Sequence, residues 1–119
     1  MRCVDGYLLP VPKKKLKAYF KIAAMASKVW RDHGALQYVE CAGEDLDSKW
    51  GMPFPKLLKL KPSETAVFSF IVYKSKKDRD RINAAVMQDK RMQAMCDPKN
   101  MPFDMKRMCV GGFEAVVDK

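Results

Sequence analysis

Apolar residues recur at helical three–four spacing over residues 12–33. Leu16, Tyr19, Phe20, Ala23 and Trp30, with Ser27, form one stripe, and Ile22, Met25 and Val29 form a second beside it. A helix that is apolar over so much of its circumference packs on more than one surface. Pro12 suits the first turn of such a helix and Gly34 its C-terminal cap. Four other stretches alternate with the period of a strand. Residues 2–9 place Cys3, Asp5, Tyr7 and Leu9 on one face, and residues 35–42 do the same for Leu36, Tyr38 and Glu40. Residues 65–73 are apolar on both faces, which predicts a covered strand. Residues 106–117 form the last, weakened by Gly111 and Gly112, which suggest a bulge or a close backbone approach.

Ser75, three residues ahead of Asp78, is a helix-opening signal. Ile82, Ala85, Val86, Met92 and Met95 supply the buried face of the helix that follows. Pro98 closes it, and Asp89-Lys90-Arg91 marks a step that can split it. Strand, helix, strand, strand, helix, strand is the ferredoxin-like order. It predicts an α+β fold over residues 1–119, one domain, with a four-stranded antiparallel sheet and both helices on one face. In this reading Phe68 and Phe70 point to the helices. The opposite sheet face is then bare, and a bare apolar face is a binding surface or a dimer interface. Residues 43–63 read as an irregular connection, long enough to be functional, in which Trp50 is a candidate lid. The loop, basic pair, strand and glycine break of residues 101–114 are the most particular stretch of the chain.

Composition changes this picture little. A hydrophobic fraction of 48% supports a core without staples. Cys3, Cys41, Cys96 and Cys109 form no C-x-x-C pair, so they read as free thiols in a reducing compartment, and with one histidine no metal site is expected. His33 suits a helix end as a cation better than it suits a haem ligand, so no cofactor is expected. The prolines and lysines after residues 7–11 have the wrong order for a secretory signal, and no run is long enough to span a membrane. The chain reads as cytoplasmic. The net charge of +9 is the anomaly. Such a field keeps a protein soluble and also attracts anions and nucleic acid. Lys13, Lys14 and Lys15 stand at the positive end of the first helix, where an anion could be held.

Strand parity brings together a candidate cavity lining of Asp5, Tyr7, Tyr38, Glu40 and Ser69, with Arg107 at the rim. Phenols and carboxylates in an apolar cavity can act as acid and base on a small ligand, because burial raises carboxyl pKa values. Whether the chain is an enzyme or a binder does not follow from these residue types.

Residues carrying a resemblance run the length of the chain: Val4-Asp-Gly-Tyr, Gly34-Ala-Leu, Val39-Glu-Cys, Glu64-Thr-Ala-Val-Phe-Ser-Phe, Ser75-Lys, Arg79-Asp80, Met101-Pro-Phe-Asp, Lys106-Arg-Met and Gly111-Gly-Phe-Glu. In these the chain resembles the YbaA-like family of uncharacterised bacterial proteins. It departs from that pattern at Phe70, where tryptophan is usual, at Lys74 and Lys90, where proline is usual, and through residues 48–61. The resemblance implies a dimeric α/β barrel: two ferredoxin-like subunits with their sheets face to face, a homodimer enclosing a small-molecule cavity. It implies no reaction. The alternative is an RNA-binding module of the same element order. Phe68, Phe70 and Tyr73 match the aromatic half of its third-strand signature, while Ala66 and Val67 stand where a basic residue and a glycine belong. The RNA reading requires Phe68 and Phe70 on the open sheet face.

Overall fold

A computed structural model describes residues 1–97 and 99–119; Pro98, the expected end of the second helical stretch, lies outside them. The chain runs β1 (Cys3–Pro12), α1 (Leu16–Asp32), β2 (Gln37–Ala42), α2 (Phe54–Leu58), β3 (Glu64–Tyr73), α3 (Lys76–Gln88), α4 (Lys90–Met95) and β4 (Cys109–Glu114). Short 3₁₀ turns at Lys13–Lys15 and Met105–Arg107 precede α1 and β4. The sheet order is β2-β3-β1-β4 with every pairing antiparallel, the ferredoxin-like arrangement expected.

Several boundaries follow local chemistry that the patterns missed. β1 continues through Pro10 and Pro12 rather than ending before them. β4 pairs with β1 only as far as Leu8, so both prolines fall where β1 has one neighbour and their missing N–H groups cost no ladder bond. The helix therefore starts later than Pro12, after the 3₁₀ turn of exposed lysines. Gly34 ends it with φ +115°, a conformation that disfavours any side chain. The Ser75 hydroxyl accepts from the Asp78 N–H at 3.1 Å, as expected, and Asp89 breaks the second helix into α3 and α4 while capping the latter. The connection at residues 43–63 is not wholly irregular. It carries α2, which stops at Lys59 in the left-handed region (φ 51°).

Both long helices lie on one face of the sheet. Ala26, Val29 and Trp30 of α1, Ile82 and Val86 of α3 and Met92 of α4 pack with Cys3, Ile71 and Tyr73. Tyr19 and Ala23 pack with Leu9, Val11 and Val67. Met25, in the second stripe expected on α1, is instead half exposed. The sidedness of the sheet is the reverse of the expectation. Cys3, Asp5, Tyr7, Leu9, Ser69 and Ile71 face the helices, whereas Val4, Gly6, Leu8, Phe68, Phe70 and Phe113 line the open face. Parity sorts residues into two sets but does not say which set is covered. The β3 residues opposite the helix-facing part of β1 are the almost fully buried Val67, Ile71 and Tyr73.

On the open face the Phe113 ring lies against Gly6 and Gly111, where an added Cβ would approach it to 3.4 and 3.6 Å. At Gly112 a Cβ would come within 3.3 Å of the Asp5 carboxylate and 3.4 Å of the Arg79 guanidinium. The glycine pair therefore serves close approach, and β4 runs in unbroken register with β1 without a bulge.

Candidate functional site

Most of the expected lining residues gather in a cleft between the sheet and the helices, while a larger apolar groove of about 600 Å³ occupies the open sheet face. The floor of the cleft is a cross-strand row: Glu40 on β2 pairs with Ser69 on β3, and Ser69 pairs with Tyr7 on β1. Tyr38, two residues before Glu40, shares its face. Above the floor stand Tyr19, Ile22, Ala23, Ala26 and Trp30 of α1, at the helical spacing that the apolar stripe gave. The far wall is rich in sulfur, with Met87, Met92, Met101, Met105, Met108 and Cys96, and Phe103 joins it. This partly open cleft has a volume of about 260 Å³, close to the lower end of the usual small-ligand range of ~300 Å³ upward.

Glu40 is the centre of this cleft. The Tyr19 hydroxyl donates to its Oε1 at 2.9 Å and the Tyr38 hydroxyl to its Oε2 at 2.8 Å. Burial raises the Glu40 carboxyl above its ordinary value, against the opposing pull of the Tyr38, Tyr19 and Ser69 hydroxyls. The same burial raises the phenols. Tyr7 is pushed up to about 12, chiefly by desolvation and then by the Asp5 and Glu40 charges, with Arg79 pulling the other way. Tyr19, Tyr38 and Tyr73 are raised further, by desolvation first and by neighbouring carboxylates second.

These four are all the tyrosines of the chain. A spectrophotometric titration at 295 nm should therefore show no phenol ionising near the ordinary value of about 10 while the protein stays folded. Above that pH the folded state holds more phenolic protons than the unfolded one. Stability should then fall as pH rises, and ionisation should coincide with alkaline unfolding in circular dichroism. One tyrosine titrating reversibly near 10 in the folded protein would contradict this account of the cleft.

Of the expected lining, Tyr7, Tyr38, Glu40 and Ser69 come together. The other residues do not join them. Asp5 is only 2% exposed, and its carboxylate is saturated. It accepts from Arg79 Nε at 3.0 and 3.1 Å, from Arg79 Nη2 at 2.9 Å and from Asn83 Nδ2 at 3.1 Å. Asn83 Oδ1 in turn accepts from Trp30 Nε1 and the Tyr73 hydroxyl, each at 3.0 Å. Asp5 thus ties β1 to α3 and α1 and has no lone pair to spare for a ligand. Arg107 turns away from the cleft. It donates to both oxygens of Glu64 and to the carbonyls of Leu58 and Lys59, fixing α2 against the end of β3. Trp50 is 90% exposed and lies outside the residues that line this cleft. His33 binds the Asp89 carboxylate at 2.8 Å, joining the end of α1 to the start of α4.

Sequence reasoning missed Tyr19, Arg79 and Asn83. Tyr19 was visible as the one phenol in the α1 stripe. Arg79 and Asn83 stand four apart on α3, and Asn83 directly follows the core residue Ile82, so their spacing marked them as neighbours on one helix flank.

No group of three or more His, Cys, Asp or Glu side chains able to hold a metal occurs among the described residues. No described helix is long and apolar enough to cross a membrane.

The family model described as "Protein of unknown function (DUF1428)" matches residues 2–105. The uncharacterised protein YbaA of Escherichia coli strain K12 is 40% identical over 119 residues, the full length of both chains, and so is that of Shigella flexneri. Among solved structures, a putative antibiotic biosynthesis monooxygenase from Nitrosomonas europaea is similar with TM-score 0.64 at 13% identity, over 97% of this chain and 90% of that one. A NIPSNAP family protein of unknown function from Agrobacterium tumefaciens is similar with TM-score 0.59 at 13% identity, over 94% and 86%. At such identities these likenesses speak for the ferredoxin-like fold alone.

Proposed function

The chain belongs to the DUF1428 family, and from that footing we propose that it is a cytoplasmic homodimer in which each subunit carries a small-molecule cavity with Glu40 as its acid–base centre. The observation that carries this reading is the Glu40 carboxyl itself. It sits on the floor of an otherwise apolar cleft, is raised by desolvation and is held in place by two phenols. A carboxyl so placed can accept or donate a proton more readily than a solvated one, and the phenols orient it and stay protonated as donors. The open sheet face supports the homodimer. Phe68 is 47% and Phe113 63% exposed, beside Val4, Leu8 and Phe70. Four unbridged thiols support a reducing compartment.

The RNA reading gains one point, because Phe68 and Phe70 do face the open side as it requires. It loses on charge. None of the four strands contains a lysine or arginine, so the 23 basic residues of the chain all lie off the sheet that would meet the phosphates.

The test is a screen of small uncharged and charged fragments by ligand-observed NMR against wild type, Glu40→Gln and Tyr7→Phe. Fragments that bind wild type should weaken at least ~10-fold with Glu40→Gln, a loss of ~1.4 kcal/mol. Melting curves establish that both variants fold. A screen without cleft binders, or binders indifferent to both substitutions, would remove the cavity assignment.

A further inference from the structure

Glu40 differs from the other sheltered carboxylates of this chain in its partners. Asp5 is paired with Arg79, Glu64 with Arg107, and Asp89 with Arg91 and His33. Glu40 has hydroxyl partners only. Among the described residues no lysine, arginine or histidine pairs with it. None lines the cleft, nor the shallow groove between α1 and β2 from which Glu40 is also reached. A partly buried carboxylate without a counter-charge is costly unless it is protonated or meets a cation from outside.

The rest of the lining suits a cation of one kind. Five aromatic rings, Tyr7, Tyr19, Trp30, Tyr38 and Phe103, share the cleft with polarizable thioethers. Aromatic faces attract alkylammonium groups, most strongly where water is displaced, and methionine walls adapt to apolar bodies of varied shape. A hard metal ion needs several oxygen ligands, and one carboxylate among phenols and thioethers does not provide them. An anionic ligand would meet the carboxylate and no compensating positive charge.

Resting on the cavity reading above, we infer that the cleft takes a small hydrophobic organic cation, an alkyl- or arylammonium, with its nitrogen at Glu40 and its apolar body against the aromatic and thioether wall. The ligand supplies the counter-charge that the fold withholds. Binding is then linked to the proton on Glu40. The groups facing that carboxyl are Tyr7 from β1, Tyr19 from α1, Tyr38 from β2 and Ser69 from β3; Cys96 lines the far wall. Burial raises the phenols as well as the carboxyl, so Glu40 is the first member of its own network to lose a proton as pH rises. Affinity for the ammonium should rise with pH through the Glu40 titration and then level off.

The experiment compares three probes of one skeleton, 2-phenylethylamine, 2-phenylethanol and phenylacetate, by titration calorimetry and ligand-observed NMR. Wild type should bind the ammonium at least ten-fold tighter than the alcohol and the anion weakest of all. Glu40→Gln should erase the preference for the ammonium, weakening it at least ten-fold more than it weakens the alcohol. Should that variant fail to fold, the wild-type pH series decides. The amine should tighten with pH while the alcohol stays flat, and a flat amine series overturns the inference. Equal or tighter binding of the alcohol also overturns it and leaves the cavity standing. Failure of all three probes overturns it as well, and the fragment screen then tells whether the cavity falls with it.

Discussion

Phe68→Asp should leave the protein monomeric at concentrations where the wild type forms the proposed homodimer. Phe68 sits on β3 between Cys41 of β2 and Leu8 of β1, in the middle of the open sheet face. Around it are Val4, Gly6, Phe70, Val110 and Phe113, with no charged residue among the lining. In the proposed homodimer this face meets its copy across a two-fold axis, which places each substitution in the interface twice. Burying two carboxylates without partners should cost at least ~3 kcal/mol of association, more than ~100-fold in Kd. Phe113→Asp, at the β4 edge, should act in the same direction and less strongly. Because both side chains are already substantially exposed in the subunit, the monomers should keep the wild-type circular dichroism spectrum. Analytical ultracentrifugation reads the outcome. A wild type that is monomeric at every concentration, or a Phe68→Asp variant as dimeric as the wild type, would show that this face is not the dimer interface.

Arg79→Ala should destabilise the subunit more than any of the cleft or sheet-face substitutions. It strips the almost fully buried Asp5 of its three arginine contacts and leaves only the Asn83 amide. Removing one partner of a buried ion pair costs about 3–5 kcal/mol, because the remaining charge stays desolvated. Against a typical total of about 5–15 kcal/mol that is a large share. For a chain of this size the melting temperature should fall by roughly 10–20 °C. The loss should spread beyond the pair, since Asn83 also holds Trp30 and Tyr73. Arg79→Lys should recover part of the stability, as one ammonium cannot reproduce the fork that spans both Asp5 oxygens. A loss below ~1 kcal/mol by chemical denaturation would mean that the pair behaves like a surface one and that Asp5 is hydrated.

Strand and helix order was readable because side-chain period is a local property. β3 was the clearest strand, being apolar at nearly every position, and α1 the clearest helix, with its stripe and its glycine stop. The capping serine and the Asp89 break were readable for the same reason, since each acts within four residues. Boundaries failed where a neighbour decides them. Pro10 and Pro12 sit comfortably in β1 because β4 has already ended, and nothing within β1 encodes that. α2 is only five residues long, too short to leave a period, and its position depends on an arginine some fifty residues away.

The candidate site divides in the same way. Parity placed Tyr7, Tyr38, Glu40 and Ser69 on common faces, and the strand register then joined them across three strands. Parity could not assign roles within a face. Asp5 shares a face with Tyr7 but serves the fold, because Arg79 and Asn83 reach it from α3. Arg107 lies close in sequence to Met105 and Met108, which line the cleft, yet its guanidinium is drawn to Glu64.

By itself, then, the sequence determined the α+β order of elements, the two alternating sets of sheet positions and the polar residues within each set. Those follow from backbone period and residue chemistry a few positions apart. Only the tertiary structure decided which set the helices cover and which carboxylate receives an arginine. It also decided that Glu40, unlike Asp5, Glu64 and Asp89, is left with hydroxyl partners alone. These are contacts between segments far apart in the chain. They are selected by the free energy of packing whole faces together, and no local pattern carries that information.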